Sequence, residues 1–105
     1  MAVTSARGMR DFSPREKERR DAILAVISET YHRHGFEAIE TPALEDSSVL
    51  HSGMGGDNEK LSFQVLKRGL EPSDFASAKD TSELSDLGLR FDLTVPLARF
   101  YATHH

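Results

Sequence analysis

Residues 13–42 read SPREKERRDAILAVISETYHRHGFEAIETP, and the switch of hydrophobic period inside this stretch sets the architecture. Ser13 offers a side-chain oxygen to the orphan amides of a helix start. Pro14 suits the first helical position, and Glu16 completes a capping box. Ile23, Leu24, Ile27 and Tyr31 then recur at helical spacing, widened by Ala22 and Val26, behind a charged start of Arg15, Lys17, Glu18, Arg19 and Arg20. Gly35 supplies the stop. The spacing predicts a helix over 14–33. From Phe36 the period becomes two: Phe36, Ala38 and Glu40 point one way, and Glu37, Ile39 and Thr41 the other. A strand is therefore expected over 36–41, ended by Pro42, which cannot donate to a ladder.

Downstream, 45–50 is expected as a short helix, and Gly53, Gly55, Gly56, Asp57 and Asn58 mark a turn-rich segment. Leu61, Phe63 and Val65 alternate with Ser62, Gln64 and Leu66, predicting a strand that leaves through Lys67-Arg68-Gly69. Residues 70–86 are polar with few aliphatics, and a long loop is expected there. Leu87 to Phe91 reads as a strand. Asp92-Leu93-Thr94 then turns into a helix, with Thr94 as its N-cap, Pro96 in the first turn, and Leu97, Phe100 and Tyr101 opening an apolar face. The chain stops about two turns into that helix, where a domain seldom ends, so truncation is expected.

The 105 residues allow one small domain. Thirteen Lys and Arg against 17 Asp and Glu leave a net charge of −4, which excludes a compact basic nucleic-acid module with a pI above about 9. The charge is uneven: residues 1–34 carry net +2 and residues 35–105 net −6. With no cysteine, there is no disulfide framework, thiolate zinc site or cysteine nucleophile. No apolar run approaches the roughly 18 residues of a membrane span, and Met1 to Arg10 lacks the apolar region of a secretory signal.

Few residues carry candidate chemistry. Gly53-Met54-Gly55-Gly56 lacks the spacing and the Gly-Lys-Ser/Thr ending of a phosphate loop and reads as a connection. His32 and His34, two apart on a helix, face different ways, so no metal site is expected from them; His104 and His105 are read as inert. Asp92 stands out because it follows an apolar strand and precedes a helix start. Such a carboxylate either caps the helix or holds an ammonium group by a charge-assisted hydrogen bond.

Three segments carry a family resemblance. Gly8-Met9-Arg10-Asp11-Phe12-Ser13-Pro14 resembles the opening signature of histidyl-tRNA synthetases. Gly35 to Glu45 resembles the end of class II motif 1, with its terminal proline at Pro42. Leu89-Arg90-Phe91-Asp92-Leu93-Thr94-Val95-Pro96-Leu97-Ala98-Arg99 resembles the histidine-site segment in the eukaryote-like branch of that family. The three occur in the family's order and cover most of the chain.

The resemblance implies an α+β fold: the N-terminal part of a class II catalytic domain, with a long motif 1 helix and antiparallel strands. Motif 1 falls at about 14–45, a variable loop at about 70–86 and the histidine-site segment at 89–99. It implies that Asp92 and Thr94 contact the amino group of substrate histidine. It also implies that Ile23, Ile27, Tyr31, Ile39 and Pro42 lie in a motif 1 homodimer interface. The implied parent is a cytoplasmic ligase that activates histidine with ATP and Mg2+ and transfers it to tRNA(His). Motif 2, motif 3 and the anticodon-binding domain are absent from these 105 residues. The chain alone is therefore expected to be inactive and to bind no cofactor. Two alternatives stand beside this reading: the synthetase-like regulatory subunit of ATP phosphoribosyltransferase, and a non-catalytic dimerisation module.

Overall fold

Helix α1, Pro14–Arg33, starts and stops where its end chemistry dictates. The Ser13 amide donates to Glu16 Oε2 at 2.9 Å, and the Glu16 amide points back to Ser13 Oγ at 3.5 Å. At the other end Gly35 takes φ +84°. Its amide donates to the His32 carbonyl, and that of Phe36 to the Tyr31 carbonyl. These are the paired bonds of a Schellman stop, and Phe36 packs edge-on against Tyr31 with ring centroids 5.4 Å apart. The computed structural model describes residues 2–51 and 62–104. The turn-rich glycines at 53–56, Asp57, Asn58, Leu61 and His105 lie outside the described residues.

The chain divides into two compact units, Met1–Ile39 and Glu40–His105. The first is α1 with its leading segment, in which Phe12 lies against the guanidinium groups of Arg10 (4.5 Å) and Arg20 (4.8 Å). No residue of α1 is buried; Ile23, Ile27 and Tyr31 are 54%, 46% and 57% exposed.

The second unit contains β1 (Leu44–Asp46), α2 (Ser47–His51), β2 (Gln64–Leu66), α3 (Pro72–Ser77), a 3-10 turn (Thr81–Glu83), β3 (Ser85–Leu89) and α4 (Thr94–His104). The strands form an antiparallel sheet in the order β1-β3-β2. Leu44 pairs with Leu89 and Asp46 with Leu87 on one side. Gln64 pairs with Gly88 and Val65 with Leu87 on the other, before an irregularity at Leu66. Leu50 of α2 is fully buried and sits over Gly88: a Cβ there would come within 2.7 Å of Leu50 Cδ2. Pro96, fully buried in the first turn of α4, is tolerated because that turn needs no amide from it.

The long helix and the antiparallel pairing match the expectation; several boundaries do not. Residues 36–41 form no strand. A strand exists through its partner, and pairing with β3 begins only at Leu44, extended by one bond from the Arg90 amide to the Ala43 carbonyl (3.0 Å). The stretch 70–86 is not one loop. Pro72 opens α3 while Asp74 accepts from the Glu71 amide at 2.7 Å, and Asp80 caps the 3-10 turn by accepting from the Ser82 amide at 2.8 Å. These local side-chain bonds order a segment that has few aliphatics. Strand β3 begins at Ser85, two residues before the expected Leu87, and ends at Leu89. The short helix predicted over 45–50 is present as Ser47–His51, behind Asp46, which accepts from the Ser48 amide at 2.8 Å.

Candidate functional site

Strand β3 delivers the chain to an exposed turn, Phe91 to Leu93, and α4 leaves it at Thr94. The turn follows the central strand of the sheet, so its entry point is braced by strands on both sides. Asp92 and Thr94 are both exposed here. Asp92 Oδ1 accepts from the Val95 amide at 3.4 Å, a long bond that uses little of the carboxylate's capacity. Thr94 is the first residue of α4 and not its cap, because the Leu97 amide already closes onto the Leu93 carbonyl. The carboxylate and the hydroxyl-bearing residue therefore share one short turn at a helix start. An oxygen acceptor with free lone pairs in that position suits a cationic amine.

Two arginines fix the ends of this turn. Arg90 Nη1 donates to the Thr41 carbonyl (2.9 Å), to Thr41 Oγ1 (3.0 Å) and to the Pro42 carbonyl (3.3 Å). Arg99 Nε donates to both oxygens of Glu45, at 3.0 and 2.9 Å. Glu45 is only 4% exposed and Arg99 27%, so this ion pair ties α4 to β1 from inside the unit. Neither contact is visible in local sequence, because the partners are 49 and 54 residues apart. The signal that was there is compositional: these are two of six basic residues in an acidic half-chain.

The other predicted site residues divide between the two units. Ile23, Ile27 and Tyr31 stand on α1 and Ile39 ends the first unit, while Pro42 belongs to the second. A hollow lined by Ile27, Tyr31 and Phe36 among others, and a second lined by Arg10, Phe12 and Ile23 among others, both lie on the first unit; neither includes Asp92 or Thr94. His104 stacks on Phe100 at 4.2 Å.

Among the described residues three carboxyls are held below their ordinary range, and all three sit at helix or turn starts. For Glu16 the main cause is the Ser13 amide, followed by Arg10; for Asp46 it is Ser48, and for Asp80 it is Ser82. Among the described residues no three His, Asp or Glu side chains gather as metal ligands, and no helix is long and apolar enough to cross a membrane.

Comparison with known proteins gives these features a context. A curated histidine–tRNA ligase from Leifsonia xyli is 60% identical over 105 residues, covering 97% of this chain. A probable histidine–tRNA ligase from Tropheryma whipplei is 50% identical over 104 residues, covering 99%. A histidine–tRNA ligase from Porphyromonas gingivalis is 42% identical over 107 residues, covering 93%. The chain spans about a quarter of the length of these relatives, 24%, 24% and 23% respectively. The family profile described as histidyl-tRNA synthetase matches residues 8–105, and on that match the chain belongs to the histidyl-tRNA synthetase family.

Proposed function

We propose that this chain is the N-terminal part of a class II histidine–tRNA ligase catalytic domain, with motif 1 over about 14–45 and the histidine-site segment over 89–99. The parent enzyme activates histidine with ATP, forming an adenylate and pyrophosphate, and then transfers the histidyl group to tRNA(His). The observation that carries this reading is the turn between β3 and α4, with an exposed, lightly used carboxylate on Asp92 and Thr94 two residues on. Asp92 holds the ammonium group of histidine, and the Thr94 hydroxyl adds a weaker neutral bond. The relatives named as ligases favour this reading over the regulatory-subunit alternative.

The 105-residue chain by itself is expected to give no histidine-dependent pyrophosphate exchange. Its apolar α1 face, with Ile23, Ile27 and Tyr31, serves a two-fold homodimer together with Ile39 and Pro42. The working location is the cytoplasm.

The test is calorimetry on the full-length synthetase, wild type against Asp92→Asn. Losing the charged partner of a hydrogen bond costs roughly 1.5–3 kcal/mol, about 10- to 150-fold in histidine affinity. ATP affinity should hardly change. Equal histidine affinity in the two proteins would return Asp92 to a purely helix-capping role.

A further inference from the structure

We infer that Arg90 is a positioning residue for the turn that carries Asp92 and Thr94, acting through Thr41 and Pro42. The inference rests on the assignment of Asp92 to the substrate ammonium. Phe91, Asp92, Leu93 and Thr94 are all exposed. Among the described residues, the turn's only side-chain hydrogen bond is the 3.4 Å contact from the Val95 amide to Asp92. The turn therefore does little to fix itself, and the carboxylate's position depends on what holds the two ends.

Both ends are held on one stretch of chain. Past Leu89 the ladder to β1 is spent, apart from the bond between the Arg90 amide and the Ala43 carbonyl. The Arg90 side chain then carries the attachment further, onto two carbonyls and one hydroxyl of Thr41 and Pro42. Arg99 secures the far side on buried Glu45. Residues 90–99 are thus pinned at both ends to residues 41–45, with Asp92 two residues from the first pin. A guanidinium suits this task because one nitrogen serves several acceptors from a fixed plane. A displacement of about 1 Å at a substrate anchor is enough to cost large factors in turnover.

The experiment is steady-state pyrophosphate exchange on the full-length synthetase, with Michaelis constants for histidine and ATP measured separately. Arg90→Met keeps the stem and removes all three side-chain bonds. It should raise the histidine KM roughly 10-fold, the scale of coupling between neighbouring groups, and leave the ATP KM unchanged. Arg90→Lys, which retains one donor centre, should fall between Met and wild type. Combined with Asp92→Asn, the effect of Arg90→Met should shrink, because a missing carboxylate no longer needs placing. A normal histidine KM in Arg90→Met beside a raised one in Asp92→Asn overturns the positioning role alone. A normal histidine KM in Asp92→Asn overturns the site assignment and this inference with it. Equal rises for histidine and ATP, or a fully multiplicative double variant, also overturn it. Should Arg90→Met fail to fold, Arg90→Lys and Thr41→Val take its place: a histidine-selective rise supports the role, and no rise in either overturns it.

Discussion

At Gly88 the absence of a side chain is a packing requirement. Leu50 Cδ2 would lie 2.7 Å from a new Cβ, and the Phe63 carbonyl oxygen 3.4 Å from it. Because Leu50 is fully buried, it has little room to yield. Gly88→Ala should therefore destabilise the second unit by about 1–3 kcal/mol, the usual cost of overpacking, seen as a lower thermal midpoint. An unchanged midpoint would mean that α2 shifts freely over the sheet. Glu16 allows a pH test. Bonds from the Ser13 amide and Arg10 favour its ionised form and lower its pKa from the ordinary 4.5. The cap's contribution is therefore present above pH 4.5 and fades as the pH falls through the depressed folded value. An NMR titration of the Glu16 carboxyl should give a midpoint below 4.5, with the Ser13 amide moving in step; a midpoint at or above 4.5 would contradict the capping geometry. Much at this scale was legible in the sequence. Ser13 and Glu16 bond to each other within one turn, around Pro14 at its first position, so their spacing states their geometry. Arg90 and Gly88 were silent, because their partners arrive from distant parts of the chain.

Among the elements, α4 depends on a contact that its own sequence does not reveal. Glu45 and Arg99 form a buried, two-oxygen ion pair between β1 and α4. Removing one partner leaves a charge stranded, so Arg99→Met should cost about 3 kcal/mol, the low end for a buried pair because Arg99 is 27% exposed. Adding Glu45→Leu to that variant should recover much of the loss, since two apolar groups need no pairing. Chemical denaturation of wild type, Arg99→Met, Glu45→Leu and the double variant measures both effects; additive losses would show that the pair does not act as a unit. The elements also divide by how they could be read. Helix α1 was legible from end to end because its caps and its period are local. The alternation over 36–41 looked like a strand but has no ladder partner among the described residues, and periodicity cannot supply one. In 70–86 the polar composition suggested loop, while the capping bonds of Asp74 and Asp80 order short turns that need few aliphatics.

At the scale of the whole molecule, the apolar stripe along α1 stands out. Ile23, Ile27 and Tyr31 are each about half exposed, and association is the ordinary fate of such a stripe. In sedimentation experiments on the full-length synthetase, Ile23→Lys combined with Ile27→Lys should shift the proposed dimer toward monomer. An unaltered dimer would move the interface away from α1.

The order of the sheet has a further consequence, in time. Among the described residues the two outer strands are made before the strand between them: β1 ends at Asp46 and β2 at Leu66, but neither has this neighbour until Ser85–Leu89 is available. Among the described residues every ladder bond of this sheet therefore waits on β3 and closes a loop of many residues, the circumstance that slows folding and prolongs exposure of unpaired edges. During synthesis, α1 is complete and capped while the sheet is still impossible. The ribosome must add β3 before the turn bearing Asp92 has anything to stand on.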